Sequence, residues 1–272
     1  MKTVRTVAEV RRALDEPKLA GKRIGLVPTM GAFHAGHVAL MRAAREACKV
    51  KVVSLFLNPV QFSAAEDLAR YPRDEKGDAG IAKKAGVDVL FAPTEEELYP
   101  PGFDTWVDPG GVARALEGAA RPGHYRGMAT ACTKLFDIVQ PEVAFFGRDD
   151  VQRLAVVRQL VRDLNLPIEI VAVPTVRDHD DLALSWRNAF LSADERASAA
   201  ALPRALEAGA QAHRSGADAV DATHAVLRTT PEMRVEYVEI ANLDGPTLVA
   251  AVRIGSTRLI DNVPLAAPQI AS

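Results

Sequence analysis

The sequence predicts an α/β protein in which a doubly wound parallel sheet is followed by a smaller α+β unit. Short β-branched runs alternate with helical patterns of roughly 10–15 residues as far as residue 173, the order expected of βαβ units. After Pro174 the pattern changes to two helices and then three strand-like runs, which is typical of an α+β unit. We therefore expect two domains, residues 1–175 and residues 176–272.

Apolar periodicity and turn residues place the elements of the first domain. Val7, Val10 and Leu14 have helical spacing, and Pro141 ends a later helix because proline cannot continue it. The run 50–57 is short and β-branched, as in a buried parallel strand. The expected helices cover about 7–19, 35–47, 128–139 and 151–164, with another starting at residues 71–74. The other expected strands cover about 23–27, 87–91, 143–146 and 169–173.

A capping box marks the first helix of the second domain. Ser192 is followed three residues later by Glu195, so an alanine-rich helix is expected from there towards His213. The dipeptide Gly255-Ser256 between two strand-like runs predicts a tight hairpin turn. The expected second helix covers about 218–228, and the strands cover about 234–241, 247–254 and 257–262.

Composition excludes several classes of function. The 272 residues are 48% hydrophobic and 25% charged, as in an ordinary globular protein. A net charge of -2 gives no electrostatic reason to expect nucleic acid or an anionic membrane as a partner. The start lacks the apolar core of a signal peptide. Cys48 and Cys132 lie far apart without metal-ligand spacing, so we expect buried thiols and a cytoplasmic location.

The stretch from Val27 to His37 is the strongest functional signal. A short apolar run precedes it and a helical pattern follows, and strand, glycine-containing turn and helix together place backbone N–H groups around a phosphate. His34 and His37 lie three residues apart at the mouth of that helix. Both can donate hydrogen bonds to one transferring phosphoryl or nucleotidyl group. The alternative interpretation is a helix-capping loop that contains two histidines.

Two further loops follow strand ends and point to the same site. Residues 58–62 and 147–150 each come after an expected strand, and ligands of open α/β sheets bind at the carboxyl ends of strands. The segment around Arg187 begins the second domain and is expected to act as a lid. Simpler interpretations stay open: Gln61 as a strand cap, Asp149 as a helix N-cap, and residues 121–126 as a solvated loop. Residues 178–181 have the residue types of a metal-binding cluster, and the alternative interpretation is a charged linker.

Several blocks of sequence, taken together, resemble one family. The chain resembles pantothenate synthetase (pantoate–β-alanine ligase), a family of the HxGH nucleotidyltransferase-like superfamily with a Rossmann-like sheet. The blocks that carry the resemblance occur in family order. They are Pro28–His37, Phe56–Phe62, Asp67–Arg73, Arg121–Gly127, Lys134–Phe136 with Val139–Pro141, Phe145–Gly147, Leu182–Ser185 and Arg187–Asn188.

The resemblance implies a two-step ligation. ATP, with Mg2+ on its phosphates, and (R)-pantoate would give pantoyl adenylate and pyrophosphate. β-Alanine would then attack the acyl adenylate and release pantothenate and AMP. The family also implies a homodimer.

Three groups of site residues follow from the resemblance. Those implied in catalysis are His34, His37 and Arg187. Those implied at the acid substrate are Met30, Gln61 and Arg153. Those implied at ATP are Pro28, Thr29, Gly36, Gly147, Asp149, Asp150, Val176, Leu184, Ser185, Trp186 and Arg187. The resemblance assigns no metal ligand here.

The sequence departs from the family pattern at three of these residues and at one pair beside them. Asp149 replaces a lysine expected to neutralise ATP phosphates, although Arg148 and Arg153 lie close enough in sequence to restore the charge. Arg153 itself replaces a pantoate-binding glutamine, and Trp186 replaces the second of two serines. The usual Asp-Gly pair becomes Asp180-Asp181.

These departures leave two other functions open. One is a related amide ligase that adenylates a different acid or joins a different amine, since Arg153 suits a substrate with an extra anionic group. The other is a catalytically impaired protein that still binds a nucleotide.

Overall fold

The computed structural model describes residues 1–62 and 65–265, without the side chains of residues 65–67. It divides into two compact units. The first comprises Met1–Gly147 and Gln152–Val173, and the second comprises Arg148–Val151 and Pro174–Ser272. The domain bounds expected from the sequence, 1–175 and 176–272, stay a prediction.

The first unit contains a parallel sheet, which confirms the predicted fold class. Its strands are β1 Lys2–Val4, β2 Ile24–Thr29, β3 Val50–Leu55, β4 Val89–Phe91, β5 Val143–Gly147 and β6 Glu169–Val173. Within the described residues their order is β1-β4-β3-β2-β5-β6. The chain moves outward from β2 through β3 to β4 and then returns to place β5 on the other side of β2. The carboxyl ends of β2 and β5 therefore flank the switch point, where open α/β sheets bind ligands.

Helices cover both faces of this sheet. They are α1 Val7–Leu19, α2 Ala35–Ala47, α3 Ala65–Arg70, α4 Glu75–Lys84, α5 Glu95–Leu98, α6 Glu117–Ala120, α7 His124–Val139 and α8 Val151–Asp163. Leu26 packs in a core with α1, α7 and α8, whereas its neighbour Val27 packs in a core with α2 and α4. Successive strand residues face opposite sides, so both faces are buried, as in a doubly wound sheet.

The second unit is a small α+β fold. Its strands are β7 Met233–Asn242, β8 Pro246–Ile254 and β9 Thr257–Pro264, which pair antiparallel in that order. Its helices are α9 Ala193–Ala199, α10 Ala201–Arg214 and α11 Ala219–Leu227. The capping box at Ser192 and the turn at Gly255-Ser256 are both present.

The expected single helix towards His213 is wrong, because it breaks at Ala200. Pro203 explains the break: it has no N–H to donate to the carbonyl of Ala199, and its ring crowds that carbonyl. None of the helices in the described ranges combines the length and apolar character needed to cross a membrane.

Candidate active site

The histidine turn leaves the end of β2 in an unusual backbone conformation. Gly31 and Ala32 both have positive φ, 95° and 55°, and alanine at such a φ is strained. Asp78 on α4 holds the turn: its carboxylate accepts the N–H groups of Ala32 (2.9 Å) and Phe33 (2.7 Å). The Tyr71 hydroxyl also donates to the carbonyl of Gly31, at 3.1 Å. The turn is thus fixed from outside by a buried carboxylate and a phenol.

The two histidines cap helix α2 and stack near each other. The backbone N–H of Gly36 donates to Nδ1 of His34 (3.1 Å), and the N–H of His34 donates to Nδ1 of His37 (3.2 Å). Their ring centroids are 4.2 Å apart. Because each Nδ1 accepts a hydrogen bond, each ring carries its proton on Nε2. The capping and phosphate-binding interpretations are therefore compatible, since capping sets the tautomer that can donate to a phosphate.

Met30 and Gln61 lie together, as the prediction of an acid-binding pocket requires. The Gln61 amide donates to Sδ of Met30 at 2.9 Å, and its Oε1 accepts from Asn58 Nδ2 at 3.0 Å. Asn58 is 1% exposed, and its Oδ1 accepts from the Tyr99 hydroxyl at 2.9 Å. The orientation of the Gln61 amide is therefore set by a buried network.

His124 fixes the backbone of the same loop. Its Nδ1 lies 2.7 Å from the carbonyl of Gln61, and its Nε2 lies 3.3 Å from Nη1 of Arg121. Burial, together with the charge of Arg121, lowers the pKa of His124 to about 3. The ring is therefore neutral, with Nδ1–H donating to Gln61 and Nε2 accepting from Arg121.

The start of helix α7 lies close to the loop that contains Val60 and Gln61. A Cβ on Gly127 would lie 2.4 Å from the carbonyl oxygen of Val60, so only glycine fits there. Asn58 Nδ2 also donates to the Gly127 carbonyl, at 3.1 Å. The interpretation of residues 121–126 as a solvated loop is wrong for His124, which is buried in α7. Arg126 is exposed but stacks on Trp106.

The other predicted residues of the first unit lie along its sheet. Pro28 and Thr29 end β2 beside Ser54 and Leu55 of β3, and Gly147 ends β5. Nη2 of Arg153, on α8, lies 3.4 Å from the carbonyl of Gly147, and its charge acts on His124. Arg153 therefore lies near the residue that positions Gln61.

Asp149 and Asp150 lie in the turn between β5 and α8. The guanidinium of Arg148 is paired with Asp244 at 2.5 Å, so its charge is already matched by a carboxylate. The expectation that Arg148 replaces the missing lysine is therefore not supported by its contacts. Asn262 donates to the carbonyls of Arg148 (2.8 Å) and Asp149 (3.3 Å).

Residues 176–184 form a small hairpin that leads into the predicted phosphate-binding segment. Val176 and Leu184 meet across it, since the N–H of Leu184 donates to the Val176 carbonyl at 3.0 Å. The Ser185 hydroxyl then accepts the N–H of Arg187 at 3.2 Å. The Arg187 guanidinium lies 4.7 Å from the ring centroid of Trp186, so Trp186 supports Arg187 through a cation–π contact.

The acidic cluster in this hairpin is paired with an arginine. Ligand atoms of Asp178, His179 and Asp180 lie within 4.8 Å of one another, which is close enough for shared contacts. Arg196 contacts Asp178 at 2.6 Å and Asp180 at 2.8 Å. Hydrogen bonds from His179 and Arg196 hold the pKa of Asp178 well below its usual value. A charged structural segment fits these contacts.

Known relatives match this chain over nearly its full length. A family model described as pantoate-beta-alanine ligase matches residues 2–264. The chain belongs to the pantoate-beta-alanine ligase family. Pantothenate synthetase 1 of Bradyrhizobium diazoefficiens is 49% identical over 97% of this chain and 98% of its own. The pantothenate synthetase of Chloroflexus aurantiacus is 48% identical over 96% of this chain and 97% of its own.

Solved structures of the pantoate-beta-alanine ligase family share the fold. The pantothenate synthetase of Thermus thermophilus superimposes with a TM-score of 0.93 at 45% identity, covering 98% of this chain and 100% of its own. The Francisella tularensis ligase, described as complexed with beta-gamma ATP and beta-alanine, has a TM-score of 0.84 at 30% identity. It covers 99% of this chain and 100% of its own. The predicted family and its ligase class are confirmed.

One departure from the ligase family pattern has a direct backbone explanation. Asp181 stands where the family usually has glycine, and its φ is 63°. Aspartate is among the few side chains that visit this left-handed region. The Asp181 N–H donates to the Asp178 carbonyl at 3.0 Å, and its own carbonyl accepts from Arg177. The turn is therefore kept without glycine.

Two residues that hold the candidate site, Asp78 and His124, are absent from the sequence-based assignment. Asp78 lies 45 residues from Phe33, and no local pattern reports that contact. The only sequence signal for His124 is its place in the block Arg121–Gly127. Both hold the backbone of a loop, Ala32–Phe33 or Gln61, so neither has the sequence pattern of a ligand-binding residue.

Proposed function

We propose that this ligase condenses (R)-pantoate with β-alanine to give pantothenate, using ATP and a pantoyl adenylate intermediate. The observation that carries the proposal is the family match over residues 2–264. The neutral histidine pair at the N-terminus of α2 supplies the matching chemistry.

In the first step, an oxygen of the pantoate carboxylate attacks the α-phosphorus of ATP and pyrophosphate leaves. Such a step depends on positioning and charge neutralisation more than on an enzyme nucleophile. The Nε2–H groups of His34 and His37 donate to phosphate oxygens. The α2 N-terminus adds a partial positive charge at the same place.

In the second step, the amine of β-alanine attacks the acyl carbon of pantoyl adenylate. The amide bond forms, the acyl–phosphate bond breaks, and AMP leaves. A site that excludes water protects the mixed anhydride from hydrolysis before the amine arrives.

We assign the acid pocket to the first unit. Gln61, with its amide oriented by Asn58 and Met30, hydrogen-bonds pantoate, while the Met30 side chain contacts its apolar part. Arg153 replaces the second family glutamine and is assigned to the carboxylate side of the acid, where a guanidinium pairs well with two oxygens.

We assign the nucleotide contacts as the family resemblance implies. Pro28, Thr29, Gly36 and Gly147 offer backbone groups at strand and helix ends. Ser185 and Arg187 bind phosphates, with Arg187 supported by Trp186. Asp149, Asp150, Val176 and Leu184 complete the nucleotide contacts. Mg2+ enters as part of the ATP substrate, since Mg2+ commonly keeps its waters and binds through substrate phosphates.

A homodimer in the cytoplasm completes the proposal. The family resemblance is the basis for the dimer, and sedimentation equilibrium tests it. Cys48 and Cys132 are both free and buried, which fits a reducing, ATP-containing compartment.

Pyrophosphate release tests the proposed reaction. With ATP and (R)-pantoate, one equivalent is expected in a burst, and steady turnover is expected once β-alanine is added. Mass spectrometry then identifies pantothenate. Pyrophosphate released only with a different acid would identify a related ligase, and ATP binding without turnover on any acid would identify an impaired homologue.

A further inference from the structure

Two successive buried residues of β9, Asp261 and Asn262, hold segments distant in sequence. Asp261 is 2% exposed and Asn262 is 7% exposed. Neither side chain serves the hydrophobic core, and neither is assigned to a substrate. Their hydrogen bonds instead reach back to the two chain segments that carry the proposed nucleotide contacts of the second unit.

Asp261 holds the hairpin that leads to Ser185 and Arg187. Its carboxylate accepts two hydrogen bonds from Arg177, from Nη1 at 2.7 Å and Nη2 at 2.9 Å. This side-by-side geometry fixes both position and orientation of a guanidinium. Arg177 in turn pairs with Ala183 across the hairpin, one residue before Leu184. Movement of Arg177 therefore carries the exit of the hairpin with it.

Asn262 holds the turn that contains Asp149. Its Nδ2 donates to the carbonyls of Arg148 and Asp149, at 2.8 and 3.3 Å. An amide nitrogen has two hydrogens, so one side chain satisfies two successive carbonyls. The side chain of Arg148, in the same turn, is also held by its ion pair with Asp244.

We propose that Asp261 and Asn262 are positioning residues of the nucleotide site. As successive residues of β9, they fix the Asp149 turn and the hairpin before Ser185 and Arg187 at a set distance from each other. This proposal rests on the proposed function in one respect, namely that these two segments bind ATP. Neither residue touches substrate.

The test compares Asn262→Ala and Asp261→Asn with the full-length wild-type protein. Asn262→Ala removes both donors to the turn, and Asp261→Asn keeps the shape while removing the charge that holds Arg177. Asn242→Ala is the matched control, because Asn242 is an exposed residue at the end of β7 in the same sheet.

Calorimetry with α,β-methylene-ATP and steady-state kinetics are the two measurements. We expect Asn262→Ala to weaken analogue binding and to raise KM for ATP by about tenfold, the size expected for one or two lost hydrogen bonds. KM for pantoate should stay within about twofold of wild type, because Met30 and Gln61 belong to the first unit. Asn242→Ala should change neither value.

A purely structural role predicts a different outcome. Asn262→Ala would then lower Tm while its analogue Kd and KM for ATP stay at wild-type values, which would overturn the proposal. If Asn262→Ala fails to fold, Asp244→Asn is the second variant. Asp244 lies in the β7–β8 loop, and its substitution removes the ion pair with Arg148 that holds the same turn. It should weaken analogue binding by about threefold. An unchanged Kd in that variant would also overturn it.

Failure of the proposed function would be visible separately. A wild-type protein that binds the analogue but releases no pyrophosphate with pantoate would contradict the reaction, while the binding comparison still decides the role of Asp261 and Asn262. A wild-type protein that does not bind the analogue would overturn both.

Discussion

The carboxylate of Asp78 holds the strained residue Ala32 of the histidine turn in place. An alanine at positive φ costs about 1–2 kcal/mol, and two hydrogen bonds to a charged, buried acceptor offset that cost. The same bonds direct the chain into α2, so they also determine where His34 and His37 lie.

We predict that Asp78→Asn impairs adenylation. An amide offers one oxygen, so one of the two backbone N–H groups would face an NH2 group. We expect the free energy of unfolding to fall by about 2 kcal/mol and kcat for pyrophosphate release to fall about tenfold to a hundredfold. Urea denaturation and single-turnover assays measure the two effects.

Asp74→Asn is the control for this substitution. Asp74 caps the same helix α4 by accepting the N–H of Gly77 at 2.9 Å, and asparagine caps a helix equally well. Its stability and kcat should match wild type. If Asp78→Asn lost stability but kept its kcat, the histidine turn would not need Asp78 for its catalytic geometry.

A second prediction at the residue scale concerns the charge at position 149. If Asp149 lies at the proposed nucleotide site, Asp149→Lys replaces a carboxylate there with an ammonium that attracts ATP phosphates. We expect KM for ATP to fall by about three- to tenfold at low salt, and the gain to shrink at about 1 M salt because of screening. Initial rates over a range of ATP concentrations measure it.

Asp163→Lys makes the same charge change at the exposed end of α8 and should leave KM for ATP unchanged. A higher KM in Asp149→Lys alone would show that the carboxylate itself contributes to nucleotide or metal binding.

At the scale of elements, α7 closely approaches the Pro59–Gln61 turn, which belongs to the proposed acid pocket. Gly127→Ala would place a methyl group 2.4 Å from the Val60 carbonyl oxygen, so the helix or the turn must move. We expect the free energy of unfolding to fall by about 1–3 kcal/mol and KM for pantoate to rise more than KM for ATP. Chemical denaturation and kinetics with each substrate varied measure both.

Gly80→Ala is the matched helical control. Gly80 lies within α4 and a Cβ there would meet nothing within 4 Å. Alanine should therefore stabilise the protein by about 0.5–1 kcal/mol through backbone entropy, with both KM values unchanged. Equal effects of Gly127→Ala on the two KM values would argue against a specific role in the shape of the acid pocket.

Elements with strong local signals are predictable from the sequence. Helices α1 and α2 begin and end where periodicity and flanking residues predict. Strand β1 is missed because its three residues gain their structure from pairing with β4, which no local pattern reports. The first turn of α7 is missed because Gly123 is typical of a loop, although its φ of 83° directly precedes the helix.

The candidate site divides in the same way. His34, Met30 and Gln61 are predictable because they belong to short motifs with a recognisable order. The residues that hold the loops of the site are not predictable from the sequence. Asp78, His124 and Asn262 act through contacts between segments 45 or more residues apart. Their role is set by tertiary structure, so the sequence pattern assigns them none.

At the scale of the whole molecule, His124, which holds the Gln61 loop, contributes to the pH dependence of stability. Its pKa falls from an ordinary 6.5 to about 3 in the folded state, so the unfolded chain binds a proton between these values and the folded chain does not. Stability is therefore full above about pH 6.5 and is lost as the pH falls towards 3. We expect a loss of about 2 kcal/mol between about pH 6.5 and pH 5 from this one group.

Urea unfolding at about pH 7.5, 6.5 and 5 in wild type, His124→Gln and His213→Gln measures this contribution. Glutamine can still donate to the Gln61 carbonyl but does not titrate, so His124→Gln should lose less stability than wild type on acidification. His213 is exposed near the end of α10, so its replacement should leave the wild-type pH dependence intact. If all three proteins lost the same free energy of unfolding on acidification, a group other than His124 would titrate in this range. A neutral His124 would then not be what stabilises the Gln61 loop.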